Sequence, residues 1–213
     1  MTRTLLLAIS LSLAACSGDD HPSPENPRQT LSIPETTFSG EYSAEDFDLA
    51  QPVDYWEIRL GAIPGLGSDE FERLMTFDAS TYEALDDTQK AILEETTVLD
   101  TGFGAQCRPL YCPVYAVFLT GFDAAVIDSD ALLLEFFGDI DTEAELLVYL
   151  TYAQNYKEQV RPLAFEANTE GYRVHVAWDS LCLVRGENLI QVSPDGTIET
   201  LEELSQEETG VCV

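Results

Sequence analysis

The last third of the chain narrows what it can fold into more than any other stretch, because its hydrophobic period there drops to two. Residues 163–167 and 172–178 are short runs with strand patterning, and Asn168-Thr169-Glu170-Gly171 between them is turn chemistry for a hairpin. Residues 182–185 and 189–192 flank Gly186-Glu187-Asn188, and Pro194-Asp195-Gly196 leads into 197–201. Short strands joined by short loops pair with their sequence neighbours, so the expectation is an antiparallel meander of four to five strands. Along the second run Tyr172, Val174, Val176 and Trp178 share one face, and Arg173, His175 and Ala177 share the other. The first of these faces needs a cover.

Two helical segments upstream can supply it. Residues 130–137 and 142–156 are apolar on most sides, through Leu132, Leu133, Leu134, Phe136 and Phe137, then Leu146, Leu147, Val148 and Leu150. Asp141, Glu143 and Glu145 gather at the start of the second, with Lys157 and Arg161 at or beyond its end, as the helix dipole favours. Further upstream, 53–60 reads as a strand, 61–67 as a glycine-rich connection and 68–75 as a short helix. Ser80 with Glu83 is a capping box for a helix that places Ala84, Leu85, Ala91 and Ile92 on one side. The apolar run 114–119, bounded by Pro113 and Gly121, reads as a central strand. The expected fold class is α+β: N-terminal helices plus a C-terminal meander packed on a buried helix, with no internal repeat.

The N-terminus carries an address. Arg3 lies in a short basic region, and the apolar run 5–13 is too short for the roughly 30 Å of a bilayer core. Leu13-Ala14-Ala15-Cys16 then precedes Ser17 and Gly18. Small residues ahead of a cysteine resemble the lipobox of bacterial lipoproteins, a resemblance that covers residues 1–16 alone. It implies cleavage before Cys16, fatty acyl chains such as palmitate on that residue, and a home in the bacterial cell envelope. Ser17, in place of Asp, implies sorting to the outer membrane where the host has two membranes. At about 0.8 kcal/mol per buried methylene, two or more acyl chains anchor stably where one does not. The domain boundaries are then 1–15 for the signal peptide, 16–40 for a flexible linker and 41–213 for one acidic domain. The linker holds Pro22, Pro24, Pro27 and Pro34 with Asp19, Asp20 and His21, and few large apolar residues to offset its ordering entropy. A coil of that length reaches roughly 25–30 Å.

The balance of charge removes one class of function. Against 39 acidic side chains stand 10 basic ones, a formal net charge of -29 in 213 residues, so nothing here neutralises a run of phosphates and nucleic acid is excluded as a partner. A hydrophobic content of 45% nevertheless argues for a folded chain. Such a surface favours cationic proteins, peptides or divalent ions diffusely, and repels itself at low ionic strength.

Beyond Cys16, the chain holds Cys107, Cys112, Cys182 and Cys212. An even number in an exported protein points to two structural disulfides, with three connectivities open. The short 107–112 loop, with Pro109 in it, closes most easily on itself, which leaves Cys182 to pin the tail through Cys212. Loop-closure entropy gives roughly 2 kcal/mol for the first bridge and 3–4 kcal/mol for the second. The two-residue gap of zinc or thioredoxin-like pairs is missing.

Other candidates are weak. His175, alone in the folded part, is the catalytic base any Ser/His or Cys/His hydrolase would need, but no Gly-x-Ser-x-Gly elbow accompanies it. Asp139, Asp141 and Glu143, with Asp128 and Asp130 nearby, could offer oxygens to calcium, yet Ala144 and Leu150 stand where an EF-hand counted from Asp139 needs Gly and Glu. The 61–67 loop has neither a P-loop lysine nor a dinucleotide fingerprint, and Asp69, Glu70 and Glu72 would repel an anion. Tyr149, Tyr152 and Tyr156 recur at helical spacing, as core more readily than as a ligand platform. No cofactor is expected. The reading is a lipid-anchored, non-enzymatic binding or interaction domain, and the alternative is an exported hydrolase using acidic residues or His175.

Overall fold

The computed structural model describes residues 31–39, 42–61, 71–76, 79–97, 102–103, 113–153, 159–179 and 184–208. The chain divides into Met1–Leu31 and Ser32–Val213, and every element named below belongs to the second unit. The fold is α+β, mostly strand, with nine strands and four α-helices among the described residues. One sheet has the order β3-β2-β4-β5, formed by β2 (Tyr55–Leu60), β3 (Glu72–Thr76), β4 (Val114–Thr120) and β5 (Asp123–Ile127). The other is β1 (Thr36–Thr37), β6 (Gln159–Asn168), β7 (Gly171–Asp179), β8 (Val184–Val192) and β9 (Ile198–Glu208), in the order β1-β6-β7-β8-β9. All pairings are antiparallel. The helices are α1 (Ala79–Ala84), α2 (Asp87–Glu95), α3 (Asp130–Phe137) and α4 (Glu143–Val148), the last continued by a wider π-type turn over Tyr149–Ala153.

One large cluster joins the sheets through α3 and α4. Trp56, Ile58, Val114, Ala116 and Ile127 come from the four-stranded sheet, Phe136, Phe137, Leu146 and Leu150 from the helical layer, and Val174, Val176, Ile190 and Val192 from the meander. Apolar surface removed from water contributes about 25 cal/mol per Å², so this shared core is the main source of stability. Tyr149 belongs to it, with its hydroxyl donating to the Gly196 carbonyl at 3.0 Å, so the tyrosine stripe starts in the core. On the opposite face of the four-stranded sheet a smaller cluster packs Tyr55, Tyr115, Val117 and Leu119 against Leu85 and Leu93.

Several expectations are corrected. Residues 72–76 are strand β3 and not part of a helix, because pairing with β2 satisfies their backbone while Arg73 reaches the Glu57 carboxylate at 2.7 Å. Residues 79–95 are two helices and not one: Asp86 restarts the chain, accepting from the Gln89 N–H at 2.8 Å while the Gln89 side chain accepts from Asp86 N–H at 3.1 Å. That capping box replaces the one expected at Ser80. Gly186-Glu187-Asn188 is not a hairpin loop, since β8 runs straight through it with a bulge at 187/188. Glycine is needed there for another reason. A Cβ at Gly186 would fall 2.4 Å from the Ser205 carbonyl and 2.8 Å from the Trp178 ring. The meander thus has four long strands, β6 to β9, with two-residue β1 added at its side from within the stretch read as linker. The five cysteines, His21, Tyr156, residues 62–67 of the glycine-rich stretch and residues 68–70 of the expected helix lie outside the described residues, so the disulfide reading rests on sequence alone.

Candidate functional site

The apolar run of β4 ends at Gly121-Phe122, a two-residue turn that sends the chain back as β5. Gly121 has φ 63°, a conformation that glycine adopts without strain. The turn is held from two sides: the Asp54 carboxylate accepts from Gly121 N–H at 2.6 Å, and the Gln89 side-chain amide donates to the Gly121 carbonyl at 2.9 Å. Because side chains alternate, Ala125 and Ile127 of β5 share a face with Phe118, their register being Phe118↔Ala125 and Ala116↔Ile127.

Helix α3 crosses that face. Ser129 caps it, accepting from Leu132 N–H, and Gly138 ends it at φ 86°. Phe136 is fixed between Phe118 and Trp56, with ring centroids at 5.2 and 5.3 Å. Between β5 and α3 a cavity of about 500 Å³ remains, floored by Phe118, Ile127 and Phe136 and bounded by Ala125, Leu132 and Glu135. Leu132 is 41% exposed, and Phe122 at the hairpin tip is 60% exposed. Glu135 is the charged residue among the described lining and is exposed, while Asp123 at the start of β5 is also exposed. Asp130, in the first turn of α3, is held above the ordinary carboxylate range by burial. The arrangement can accommodate apolar side chains beside an open strand edge and an acidic rim.

A second feature unseen in the sequence is ionic. Glu57 and Arg59 of β2 are fully buried beneath α2 and pair with each other. Glu57 also accepts from Tyr55 Oη at 2.7 Å, and burial, reinforced by that bond, pushes the Tyr55 phenol up. Arg59 Nη1 donates to the Leu93 and Thr96 carbonyls at 2.9 and 2.7 Å, and its guanidinium lies 3.8 Å from the Phe71 ring centroid. Arg73 extends the cluster to Glu94. Its charges are matched and its donors end on the C-terminal carbonyls of α2, so its job is to seat that helix.

Among the described residues, those singled out from sequence do not converge on one site. His175 lies on the meander face away from the core, with Nε2 2.9 Å from Glu187 Oε2. Its cross-strand neighbours are Ala164 and Leu189, which offer no nucleophile. Glu143 accepts from Ser39 N–H at 2.9 Å and from the Tyr42 hydroxyl, tying the incoming chain to α4. The Asp141 carbonyl accepts from the Tyr172 hydroxyl, Asp139 is exposed, and Thr142 caps α4. Among the described residues no three His, Cys, Asp or Glu side chains gather as a metal would require. No family model, curated protein or solved structure matches the chain.

Proposed function

We propose that the protein is a lipid-anchored binding domain of the bacterial envelope that captures apolar side chains of a partner in the groove between β5 and α3. The observation that carries this reading is the groove itself, about 500 Å³ of largely apolar lining on a chain of net charge -29. Its volume lies within the range of ligand-binding clefts, and its walls are fixed by the twice-held turn and by the tilted and edge-to-face contacts of Phe136 with Phe118 and Trp56. Cys16 would hold the domain at the membrane, with the outer membrane as the destination that Ser17 suggests. The hydrolase alternative is less well supported, since the described neighbours of His175 supply a carboxylate and aliphatic groups only.

Two measurements test the proposal separately. Cys16→Ser should move the full chain from the membrane to the soluble fraction. Filling the groove with Ala125→Trp should abolish binding of an apolar fluorescent probe such as bis-ANS while leaving far-ultraviolet dichroism unchanged. Undiminished probe binding would rule the groove out as the binding site.

A further inference from the structure

We propose that β5 accepts an extended partner segment, apolar at alternate central positions and basic at its ends, paired with it as a fifth strand and placing apolar side chains in the groove. This rests on the binding reading above and names its occupant. Strand addition satisfies a row of backbone groups at an open sheet edge, and alternate side chains then enter pockets beside it. Among the described residues no strand pairs with the outer side of β5, and the groove lies along the face that carries Ala125 and Ile127.

The sheet edges differ in how they are guarded. Edge strand β9 carries Glu199, Glu202, Glu203, Glu207 and Glu208, with two register shifts against β8. Edge strand β3 carries Glu72 and Arg73 with a shift against β2, and β1 is two residues long. Charges, bulges and shortness are the usual protections of an edge. Ala124-Ala125-Val126-Ile127 of β5 has no charge and no register shift. The edge of β6 beyond its two residues of pairing with β1 carries Arg161, Pro162 and Glu166, so this run of β5 is the described edge without charge or proline.

Charge chooses the occupant. Glu135 lies in the groove wall, Asp123 precedes the uncharged run and Asp128 follows it, and among the described residues no basic one lines the groove. A second copy, itself at -29, would meet repulsion at this edge, whereas an apolar segment flanked by lysine or arginine would set those cations beside Asp123 and Asp128.

The test uses the full chain in mild detergent and a synthetic heptapeptide with leucine at alternate central positions and lysine at both ends, measured by fluorescence anisotropy and by hydrogen exchange of β5 and α3. Further probes are the same peptide N-methylated on alternate amides, in both alternations, and a version with glutamate for lysine. The lysine peptide should bind and protect β5. One methylated alternation should bind at least about tenfold more weakly, because it loses the hydrogen bonds to the edge, and the glutamate peptide should not bind. Glu135→Lys should weaken the lysine peptide and admit the glutamate peptide. If both methylated forms bind as tightly as the parent, strand addition is overturned while groove binding stands. If the lysine peptide binds without protecting β5 and is indifferent to Ala125→Trp, it sits elsewhere on the acidic surface and the proposal falls. If no peptide binds and bis-ANS does not respond to Ala125→Trp, the groove reading falls with it.

Discussion

In the four-stranded sheet β2 is buried along five consecutive residues, whereas β7, at the centre of the five-stranded sheet, alternates buried and half-buried positions. The first sheet has helical layers on both faces, and the second offers one face to the core and the other outward. This difference decides what a charged residue does in each. On β2, Glu57 and Arg59 have no route to water and must satisfy each other, Tyr55, Arg73 and the end of α2. On the outward face of the meander, Arg173 with Glu166, His175 with Glu187 and Arg185 with Glu207 are pairs that water also reaches. Charge is structural on the first sheet and nearly incidental on the second.

The sharpest way to break this contrast is to delete one arginine from each sheet. Arg59→Ala should cost about 3–5 kcal/mol by leaving Glu57 buried with Arg73 as its remaining cation and the Leu93 and Thr96 carbonyls without their donor, while Arg185→Ala should leave the urea midpoint where it was. Equal effects in denaturant titrations would erase the distinction. Next in size is Gly186→Ala, expected to cost about 1–3 kcal/mol because the methyl group meets the Ser205 carbonyl and the Trp178 ring. Were this segment a loop, the same change would be neutral or mildly stabilising. His175→Ala should cost under about 1 kcal/mol, as for a pair whose carboxylate partner stays in contact with water, and a larger loss would mean that packing around the half-buried ring matters more than its charge.

Two smaller effects concern the acidic surface as a whole. Sodium chloride rising to about 0.1 M, where the Debye length is about 10 Å, should raise Tm by a few degrees, since about 1 kcal/mol moves a chain of this size by roughly 2–4 °C. A falling Tm would end the self-repulsion argument. Acidity should act in the same direction. Burial raises the carboxyl of Asp130 above its ordinary 3.8 in the folded state, so its stabilising protonated form is fully favoured below that value and lost as pH climbs through the raised one. Stability should therefore increase as pH falls from 7 toward 4, by less in Asp130→Asn. Asp46 and Asp195, held low by hydrogen bonds from Ser43 and Thr197, oppose this trend only below 3.8.

The two sheets were also unequally legible. Alternation at 172–178 writes one buried face into the sequence, and the structure has that strand within a residue at each end. Where both faces are covered the alternation disappears, and the Leu93 carbonyl that Arg59 reaches and the Glu57 carboxylate that Arg73 reaches lie 34 and 16 residues away, which no local pattern reveals. Gly186 misled because a glycine that admits a neighbouring ring looks the same as one that turns. The groove was hidden for a related reason: Phe118, Ala125 and Leu132 come from three elements, and five-residue β5 holds two alanines that give little hydrophobic signal. Gly121-Phe122 followed by Asp-Ala-Ala-Val-Ile was the available clue to a hairpin.

The glutamates of β9 bear on how densely such a protein can populate a surface. Copies held by the proposed lipid anchor share a plane, so their lateral concentration follows the area available and not the volume. Side-by-side collisions are then frequent, and many bring one β9 against another. Five like charges on each strand, unscreened within about 8 Å at physiological ionic strength, stop such encounters before ribbons of sheet can zip together. The membrane can thus be crowded with separate, freely diffusing copies, and a divalent-rich medium, by shielding those glutamates, would lower the density at which they begin to stick.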